Sequence, residues 1–408
     1  MSIPKMRFYG YDSPWKVSKL GELFEIYSGN TPSRSDRNNY DNGTIPWIKT
    51  TDLNNSLIYV NEEKITDHGA KKLKTLPKNT ILIAMYGGFN QIGRTGLLTY
   101  PATINQALAS LLTVKEINSY FLLNYLNLRK DSWRNVAASS RKDPNITKND
   151  VEKFKISFPS LEEQSAIGSL FRILDDLLAS YKENLANYQS LKATMLSKMF
   201  PKAGLTVPEI RLYGFEGEWD EWKLSNISQK VTEKNKDNIY SETFTNSAEF
   251  GIINQRDFFD KDISNEKSLN TYYVVRNNDY VYNPRISNFA PVGPIKRNKL
   301  GRTGVMSPLY FVFRVTNSNI DLDFLETFFN TNTWHKFMKL NGDSGARADR
   351  FAIKDSVFLN MPITIPSLLE QQAVGAYFSN LDQLITSYQE KITQLETLKK
   401  KFLQDMFI

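Results

Sequence analysis

The chain has 408 residues, of which 41% are hydrophobic and 12% aromatic, enough to fill two or three ordinary domain cores. Cysteine is absent and the two histidines, His68 and His335, lie far apart, which excludes disulfides, thiolate sites and a zinc cluster. The net charge of +7 is a mild excess that by itself only weakly favours a nucleic-acid partner. No apolar run is long enough to span a membrane and no apolar signal region follows the first residues, so we expect a cytoplasmic protein.

Two short blocks near the start of the chain return in its second half. Residues 4–11 match residues 208–215, and residues 15–18 match residues 222–225 after a three-residue slip. The segments that follow, about 20–155 and 228–360, share only an outline. In each, a β-rich run (108–114 or 309–315) precedes an amphipathic helix (120–135 or 322–338) and a closing strand (154–158 or 361–365). The pattern predicts two α/β domains of related topology and different content.

A near-identical helical sequence follows each of these segments. Residues 159–200 and 366–407, at an offset of 207, are identical at 19 of 42 positions. Ser160 with Glu163, and Ser367 with Glu370, have the spacing of a capping box, and a proline precedes each serine. Apolar residues then recur at spacings of three and four, which is typical of a coiled coil.

We predict that these two helices pair with each other in antiparallel fashion, along a seam that is interrupted at Asn184 and Lys391. Two amphipathic helices packed on separate domains are the alternative. The predicted seam residues are Leu170, Leu174, Leu177, Tyr181, Tyr188, Leu191, Tyr377, Leu381, Leu384, Tyr388, Leu395 and Leu398. The fold class is therefore α+β, with two globular α/β domains joined by an antiparallel coiled coil in a pseudo-two-fold repeat. The expected domains are residues 1–158, helix 159–201, linker and second domain 202–365, and helix 366–408.

The sequence lacks the common catalytic signatures. It has no GxxxxGK[ST], GxGxxG or G-x-S-x-G, and no Asn/Asp-Pro-Pro-aromatic loop of the kind an amino-methyltransferase needs. We therefore predict a non-catalytic binding protein whose polar loops contact nucleic acid, since Arg, Asn and Gln suit base edges and Lys suits phosphates. Each residue taken singly fits a solvated turn better. The candidate DNA contacts are Arg34, Lys49, Asn90, Gln91, Arg94, Arg141, Lys142, Arg256, Arg285, Asn288, Arg297, Arg302, Arg347 and Arg350.

Several motifs in this order resemble the specificity subunit of Type I restriction–modification systems. They are the duplicated helices that open with Pro-Ser-Leu-x-Glu-Gln, Ser-Gly-Asn-Thr-Pro at 28–32, Gly-Thr-Ile-Pro-Trp-Ile at 43–48, and Thr-Ile-Asn-Gln-Ala at 103–107. The second segment lacks counterparts of the Ser-Gly-x-Thr-Pro and Pro-Trp-Ile pieces. The resemblance implies two target recognition domains, each reading half of an asymmetric bipartite site in double-stranded DNA, and a helical spacer between them.

The resemblance also implies partners. Two methyltransferase (modification) subunits would dock on the helices and supply S-adenosylmethionine, and restriction (translocase–nuclease) subunits would use ATP and Mg²⁺. No cofactor or metal is expected on this chain. Three alternatives stay open: the recognition subunit of a related Type II assembly, a stand-alone modification enzyme, and a coiled-coil scaffold without a nucleic-acid function.

Overall fold

Two long helices, Leu161–Lys198 and Leu368–Met406, are each shared between two compact units. The computed structural model describes residues 3–88, 90–137, 145–258, 266–343 and 349–408. The first unit joins Met1–Glu183 to Glu390–Ile408, and the second is Asn184–Gln389. Each unit thus holds the start of one long helix and the end of the other. The predicted boundaries had instead treated the two helices, 159–201 and 366–408, as segments separate from the globular domains.

A five-stranded sheet carries the core of the first unit. Its order is Ile26–Ser28, Leu108–Leu111, Ile81–Ala84, Thr95–Leu98 and Ser56–Ile58, antiparallel except for the last pair. A smaller sheet has the order Lys64–Ile65, Ile45–Ile48 and Thr103–Ile104, and Lys16–Lys19 pairs with Lys155–Phe158. The helices are Leu20–Leu23, Asp67–Ala70, Ser119–Leu128, Ser132–Val136 and Lys148–Lys153, with 3-10 turns at Arg37–Asn39 and Thr50–Asp52.

The central strand Ile81–Ala84 shows why this sheet is apolar throughout. Ile81 and Ile83 belong to the cluster that also contains the helix Ser119–Leu128, while Leu82 and Ala84 belong to the cluster shared with the smaller sheet. Because successive side chains of a strand point to opposite faces, a strand that is covered on both faces reads as a continuous apolar run.

The second unit has a four-stranded antiparallel sheet in the order Ser228–Lys230, Phe311–Val315, Tyr280–Tyr282 and Ile295–Arg297. Two-stranded ribbons pair Asp220–Lys223 with Pro362–Ile365, Phe244–Ser247 with Gly251–Asn254, and Tyr273–Val275 with Gly304–Met306. Its helices are Leu224–Ile227, Gln255–Phe258, Leu322–Asn330, His335–Asn341 and Asp355–Phe358, with a 3-10 turn at Glu266–Thr271. The predicted α+β class is confirmed. Both predicted amphipathic helices are broken in two, at residues 129–131 and 331–334.

The repeated framing blocks align without the slip that the sequence comparison introduced. Trp15 and Trp219 precede equivalent ribbon strands at a constant offset of 204 and are buried, with 8% and 2% exposure. Trp15 contacts Phe121 edge-on at 5.8 Å, and Trp219 contacts Phe324 edge-on at 5.7 Å. Trp222 instead lies half-buried on the ribbon. The predicted match of Trp15 to Trp222 was therefore wrong. The Trp-Lys sequence occurs by chance at both places, whereas the tryptophan that is buried like Trp15 is Trp219.

The Glu-Gln pair at the start of the first long helix holds the helix to its unit. Glu163, 1% exposed, receives Nη2 of Arg7 at 2.6 Å and its Nε at 2.8 Å. Gln164 accepts from the backbone N–H of Asn118 at 3.0 Å, directly before the helix Ser119–Leu128. At Gly168, a Cβ atom would crowd the Asn118 side chain that caps this helix. The repeated motif therefore docks the helix onto the globular body.

The second unit repeats this docking at equivalent positions. Glu370 binds Arg211 through two hydrogen bonds of 2.6 and 2.7 Å, and Gln371 accepts from the N–H of Asp321 at 2.9 Å. A Cβ atom at Gly375 would crowd the Asp321 carboxylate that caps the next helix. The identities between the two helical repeats thus conserve the attachment of helix to body.

The long helices pair antiparallel within the first unit, as predicted. Asp175 of one helix forms an ion pair with Lys399 of the other, and Lys182 pairs with Glu396 at 2.6 Å. A later residue of the first helix thus meets an earlier residue of the second, which defines the antiparallel direction.

The same arrangement occurs within the second unit. Lys192 forms an ion pair with Asp382, and the rings of Tyr188 and Tyr388 are 5.3 Å apart. Both lysines and both aspartates are identical between the repeats. The two ion pairs are therefore equivalent: in one unit the first helix supplies the aspartate, and in the other unit it supplies the lysine. A charged pair at such a position can fix the register of the two helices.

Half of the predicted seam is displaced by one residue. Leu177, Leu191, Leu384 and Leu398 are 39%, 37%, 43% and 39% exposed, so they do not lie in the seam. The inward positions of that row are Phe171, Leu178, Leu185, Lys192, Phe378, Ile385, Ile392 and Lys399. Lys391 is exposed, so the predicted interruption there is wrong, whereas Asn184 is half-buried like its neighbour Leu185. The polar seam positions that pair across the helices are the two lysines of the ion pairs. The predicted row at Leu174, Tyr181, Tyr188, Leu381, Tyr388 and Leu395 is inward, and Leu170 and Tyr377 pack half-buried on the unit cores.

The two ends of the chain lie close together in the first unit. The backbone N–H of Met6 donates to the carbonyl of Asp405 at 2.8 Å, as that of Ile210 donates to Lys198 at 2.9 Å in the continuous second unit. None of the helices among the described residues combines the length and apolarity needed to cross a bilayer.

We predict that joining the ends by a short linker and opening the chain between Ala203 and Thr206 preserves the fold and function. Residues 202–205 are exposed, so a new end there removes no core contact. Thermal unfolding, and assembly with the modification subunit that the family resemblance implies, would be compared with the parent chain. A permutant that folds normally but does not assemble contradicts the prediction.

Candidate nucleic-acid interface

Several polar loops of the first unit meet at one end of its five-stranded sheet. The register pairs Ser28 with Ala109, Ala84 with Leu108, and Ile83 with Thr95. The ends of the strands Ile26–Ser28 and Ile81–Ala84 therefore lie beside the starts of their neighbours. The predicted contacts Arg34, Asn90, Gln91 and Arg94 all follow strands that end here.

The motifs that carried the family resemblance hold this end together. Ser28 Oγ donates to the carbonyl of Gln106 at 3.1 Å, and Thr31 Oγ1 donates to the Gln106 side chain. A Cβ atom at Gly29 would collide with the carbonyl of Ile104, so only glycine permits this approach. Trp47, 1% exposed, donates from its indole N–H to the carbonyl of Asn30 at 3.2 Å. These residues build the support for the loops.

Arg34 and Lys49 form a cationic cluster on that support. The guanidinium of Arg34 lies 4.5 Å from the ring centre of Tyr40 and 5.1 Å from that of Trp47. Glu63 hydrogen-bonds Arg34 and receives Lys49 Nζ at 3.1 Å. The hydrogen bond from Arg34 lowers the pKa of Glu63, so this carboxylate stays ionised near neutral pH. Lys49 Nζ also lies 3.8 Å from Glu62, so the two cations face two carboxylates, and the half-exposed Arg34 side chain is the part of the cluster that is open to solvent.

The loop after the strand Ile81–Ala84 contains both exposed and bracing residues. Asn90 is exposed, whereas Arg94 is half-buried and donates from Nη1 to the carbonyl of Leu53 at 3.3 Å. Gln91 Oε1 is buried without a hydrogen-bond partner among the described residues. Of this predicted group, Asn90 is therefore the residue open to a ligand. The predicted contacts Arg141 and Lys142 lie outside the described residues.

The second unit offers a cleft of about 600 Å³. Arg285 and Arg350 face each other across an antiparallel backbone bridge at its edge. Both are exposed, and neither guanidinium forms a salt bridge with a described residue. Phe289 and Tyr310 line the same cleft. The structure thus brings together two of the predicted arginines and leaves their charge available.

Two amide oxygens lie buried along this cleft without a donor among the described residues, those of Asn246 and Gln255. Asn246 is 2% exposed, and its Nδ2 donates to the carbonyl of Val281 at 2.7 Å. That bond orients the Asn246 amide, so its Oδ1 is an acceptor. Both oxygens lie beneath the surface of the cleft, so they are unsatisfied acceptors of its wall and are not open to a ligand in this conformation.

Burial removes Arg297 from the predicted contacts. Its side chain is 7% exposed and lies between Asp323 and Glu326, with Glu326 Oε2 at 2.9 Å. A guanidinium held by two carboxylates stabilises the unit and cannot reach a base, so the prediction was wrong for this residue. The basic, polar sequence of residues 296–302 gives no sign of those acidic neighbours, which follow 26 and 29 residues later in the chain.

The other second-half candidates are separated from one another. Arg302 makes two hydrogen bonds of 2.8 Å to Glu242 and lies beyond the opposite end of the strand Tyr280–Tyr282 from Arg285. Arg256 and Asn288 are exposed, and Arg347 lies outside the described residues.

Lys230 and Lys234 are basic residues that sequence reasoning missed. Lys234 Nζ lies 3.4 Å from the ring centre of Tyr273, and Lys230 Nζ lies 5.9 Å from it. In the sequence, the signs of a basic site were two lysines four residues apart in a polar stretch and, later in the chain, the aromatic pair Tyr272 and Tyr273. Among the described residues, no three acidic or histidine side chains are grouped to hold a metal ion.

Comparison with known proteins agrees with this architecture. The sequence profile of the Type I restriction modification DNA specificity domain matches residues 12–187. The Type I restriction enzyme EcoR124I/EcoR124II specificity subunit of Escherichia coli is 28% identical over 175 residues, which cover 42% of this chain and 43% of that protein. This match thus spans less than half of that relative.

Two further relatives extend over nearly the whole chain. The Type I restriction enzyme MjaVIII specificity subunit of Methanocaldococcus jannaschii is 24% identical over 404 residues, which cover 95% of this chain and 91% of that protein. The crystal structure of the Type-I restriction-modification system S subunit from M. genitalium superposes with a TM-score of 0.60 at 15% identity, over 100% of this chain and 99% of that one. Residues 12–187 thus match the Type I restriction modification DNA specificity domain, and nearly the whole chain is similar to a Type I specificity subunit.

Proposed function

We propose that this chain is the DNA-recognition subunit of a Type I restriction–modification complex and that each unit reads one half of an asymmetric bipartite site. The observation that carries the proposal is a contrast between the two units. The contacts that attach helix to body, Arg7 with Glu163 and Arg211 with Glu370, are the same in both units, whereas the polar loops at the ends of the sheets differ. Arg34 and Asn90 present cationic and amide groups in the first unit, and Arg285 and Arg350 do so in the second. Recognition is sequence-specific, and chemistry belongs to the partner subunits.

The test is to co-express the chain with the modification subunit of its own system and to map modified adenines across the host genome. We expect a bipartite motif with two different halves. Methylation by the purified chain alone would identify a stand-alone enzyme, and assembly without a DNA footprint would identify a scaffold. Restriction activity without ATP-dependent translocation would favour the related Type II assembly.

The exposed leucines of the long helices support two equivalent docking sites for modification subunits. Leu177 and Leu398 belong to the first unit, beside the ion pair of Asp175 and Lys399, and Leu191 and Leu384 belong to the second. All four are leucine in both repeats. The support lies in the repetition, since the same two positions of both helices stay leucine and stay partly exposed.

We predict that Leu177→Asp with Leu398→Asp removes one of two bound modification subunits, since a carboxylate in an apolar interface costs several kcal/mol. Subunit stoichiometry by native mass spectrometry would measure the loss. Ser180→Asp, an exposed change on the same helix, is the matched control. Retention of both subunits by the double variant would place the docking surface elsewhere.

We predict that Arg285→Ala and Arg350→Ala each weaken specific DNA binding by the assembled complex by about 1–3 kcal/mol if the side chain reads a base. If the side chain contacts a phosphate, binding falls alike on all sequences and the slope of log K against log salt decreases by about one. Arg302→Ala is the control, because Arg302 already pairs with Glu242. Unchanged affinity and salt slope for both variants would exclude the cleft edge from the interface.

A further inference from the structure

Phe289 is the most exposed phenylalanine among the described residues, at 85%. Single exposed apolar residues are common on protein surfaces and need no explanation by themselves. Phe289 differs because the backbone around it is fixed and because its neighbours have the chemistry of a DNA contact.

The turn that carries Phe289 is closed by reciprocal hydrogen bonds. The N–H of Ser287 donates to the carbonyl of Ala290 at 3.1 Å, and the N–H of Ala290 donates back to Ser287 at 3.1 Å. Gly293, with a φ of +84°, closes the return of the chain, where a Cβ atom would collide with the carbonyl of Asn283. Phe289 is therefore held outward at the tip of a short, braced turn.

The root of the turn is tied to a second segment. The N–H of Ile286 donates to Asp349 at 3.0 Å, and that of Phe351 donates to Pro284 at 2.7 Å. Arg285 and Arg350 sit on these two paired segments, and Asn288 stands next to Phe289 on the exposed side. An apolar tip is thus flanked by two cations and an amide, with no carboxylate paired to either cation among the described residues.

We propose that Phe289 is a wedge that inserts between neighbouring base pairs of the half-site contacted by the second unit. This inference rests on the proposed DNA-recognition function. Apolar side chains inserted at a base step unstack it and kink the duplex. The backbone that carries such a side chain must be rigid, and cations beside it must contact the phosphates of the kinked DNA. The braced turn supplies the rigidity, and Arg285 and Arg350 supply the phosphate contacts. The unstacked bases then lie beside the cleft that Phe289, Arg285 and Arg350 line.

The test uses the full chain assembled with its modification subunits on a DNA duplex that contains the mapped site. Permanganate oxidises unstacked thymines, so reactivity is measured across both half-sites with thymine placed at each step in turn. The variants are Phe289→Ala, which removes the wedge, and Phe289→Leu, which keeps an apolar one. Ile239→Ala, at a 73% exposed residue of the same unit, is the control.

We expect one hyperreactive step in the second half-site that Phe289→Ala abolishes and that Phe289→Leu and Ile239→Ala retain. Loss of one base–aromatic stack should raise the Kd of the specific site about 5- to 150-fold, the equivalent of about 1–3 kcal/mol. Reactivity at the target adenine's partner, which depends on extrusion of the base by the modification subunit, should persist in all variants.

Specific binding by the parent complex with no hyperreactive step in the second half-site overturns the wedge and leaves the recognition function intact. A hyperreactive step that survives in Phe289→Ala at a position other than the partner of the target adenine overturns it equally. Absence of specific binding by the parent complex would instead show that the proposed function itself fails.

Discussion

Replacing Phe407 by alanine is expected to destabilise the first unit by about 3–5 kcal/mol, the usual cost of truncating a buried phenylalanine. Phe407 follows the second long helix and is 5% exposed. Its ring lies 5.2 Å from that of Phe121 and 5.6 Å from that of Phe171. It also contacts Trp15 edge-on at 6.4 Å, so the loss falls on the centre of one aromatic cluster.

The measurement is denaturant unfolding of the full chain, with hydrogen exchange to locate the affected unit. Exchange should accelerate in the helix Ser119–Leu128 and in the framing ribbon, while the second unit keeps its protection. Phe407→Leu, which retains most of the apolar volume, should cost clearly less. Equal protection of both units in Phe407→Ala would show that the end of the helix does not complete the first unit.

The same substitution at Phe200 should act on the second unit instead. Phe200 is the equivalent residue at an offset of 207 and contacts Trp219, Phe324 and Phe378 with ring distances of 5.9, 5.5 and 6.2 Å. In each unit, the last residues of one long helix thus pack into the core beside the first turns of the other long helix. The contrast between the two variants distinguishes this exchanged arrangement from two independent domains.

Local chemistry made the long helices predictable. The Ser-x-x-Glu spacing at Ser160 and Ser367 and the proline before each serine marked their starts, and apolar spacing marked their length. Each serine Oγ accepts from the N–H three residues on, while the two glutamates bind Arg7 and Arg211. The face of each helix that forms the seam was harder to assign. From Leu174 and Tyr181 the seam can continue through Leu177 and Leu191, with a polar residue at position 184, or through Leu178, with a polar residue at position 192. Only the contact of Lys192 with Asp382 decides it.

Candidate contact residues were less predictable, because their availability depends on partners distant in sequence. Arg285 and Arg297 are similar in the sequence, yet one faces solvent and the other lies between two carboxylates of a helix 26 or more residues away. Phe289 was overlooked for a related reason. Its exposure follows from the hydrogen bonds of a turn that no residue pattern specifies.

If each unit reads one half-site as proposed, exchange of residues about 20–155 for the corresponding segment of a similar Type I specificity subunit is expected to change one half of the DNA site completely and to leave the other half unchanged. The frame contributes Arg7, which binds Glu163, and the exchanged body contributes three contacts of its own. The N–H of Asn118 donates to Gln164, Tyr120 donates to Asp175 at 2.7 Å, and Phe121 packs on Phe407 at 5.2 Å. A transplanted body that keeps an Asn or Asp cap and these two aromatic residues should therefore dock. Mapping of modified adenines before and after the exchange provides the readout.

A second variant separates the reading of bases from the spacing between the half-sites. One heptad is inserted into each long helix near residues 183 and 390, where the two units divide, so that the antiparallel pairing is kept. Seven residues add about 10 Å of helix, and at about 3.4 Å per base pair the tolerated gap should grow by about three base pairs. Both half-sites should stay the same, because none of the loop residues moves within its unit. A continuous palindromic site, or an exchange that alters both halves, would contradict the modular organisation, and a gap insensitive to the insertion would show that the helices do not set the spacing.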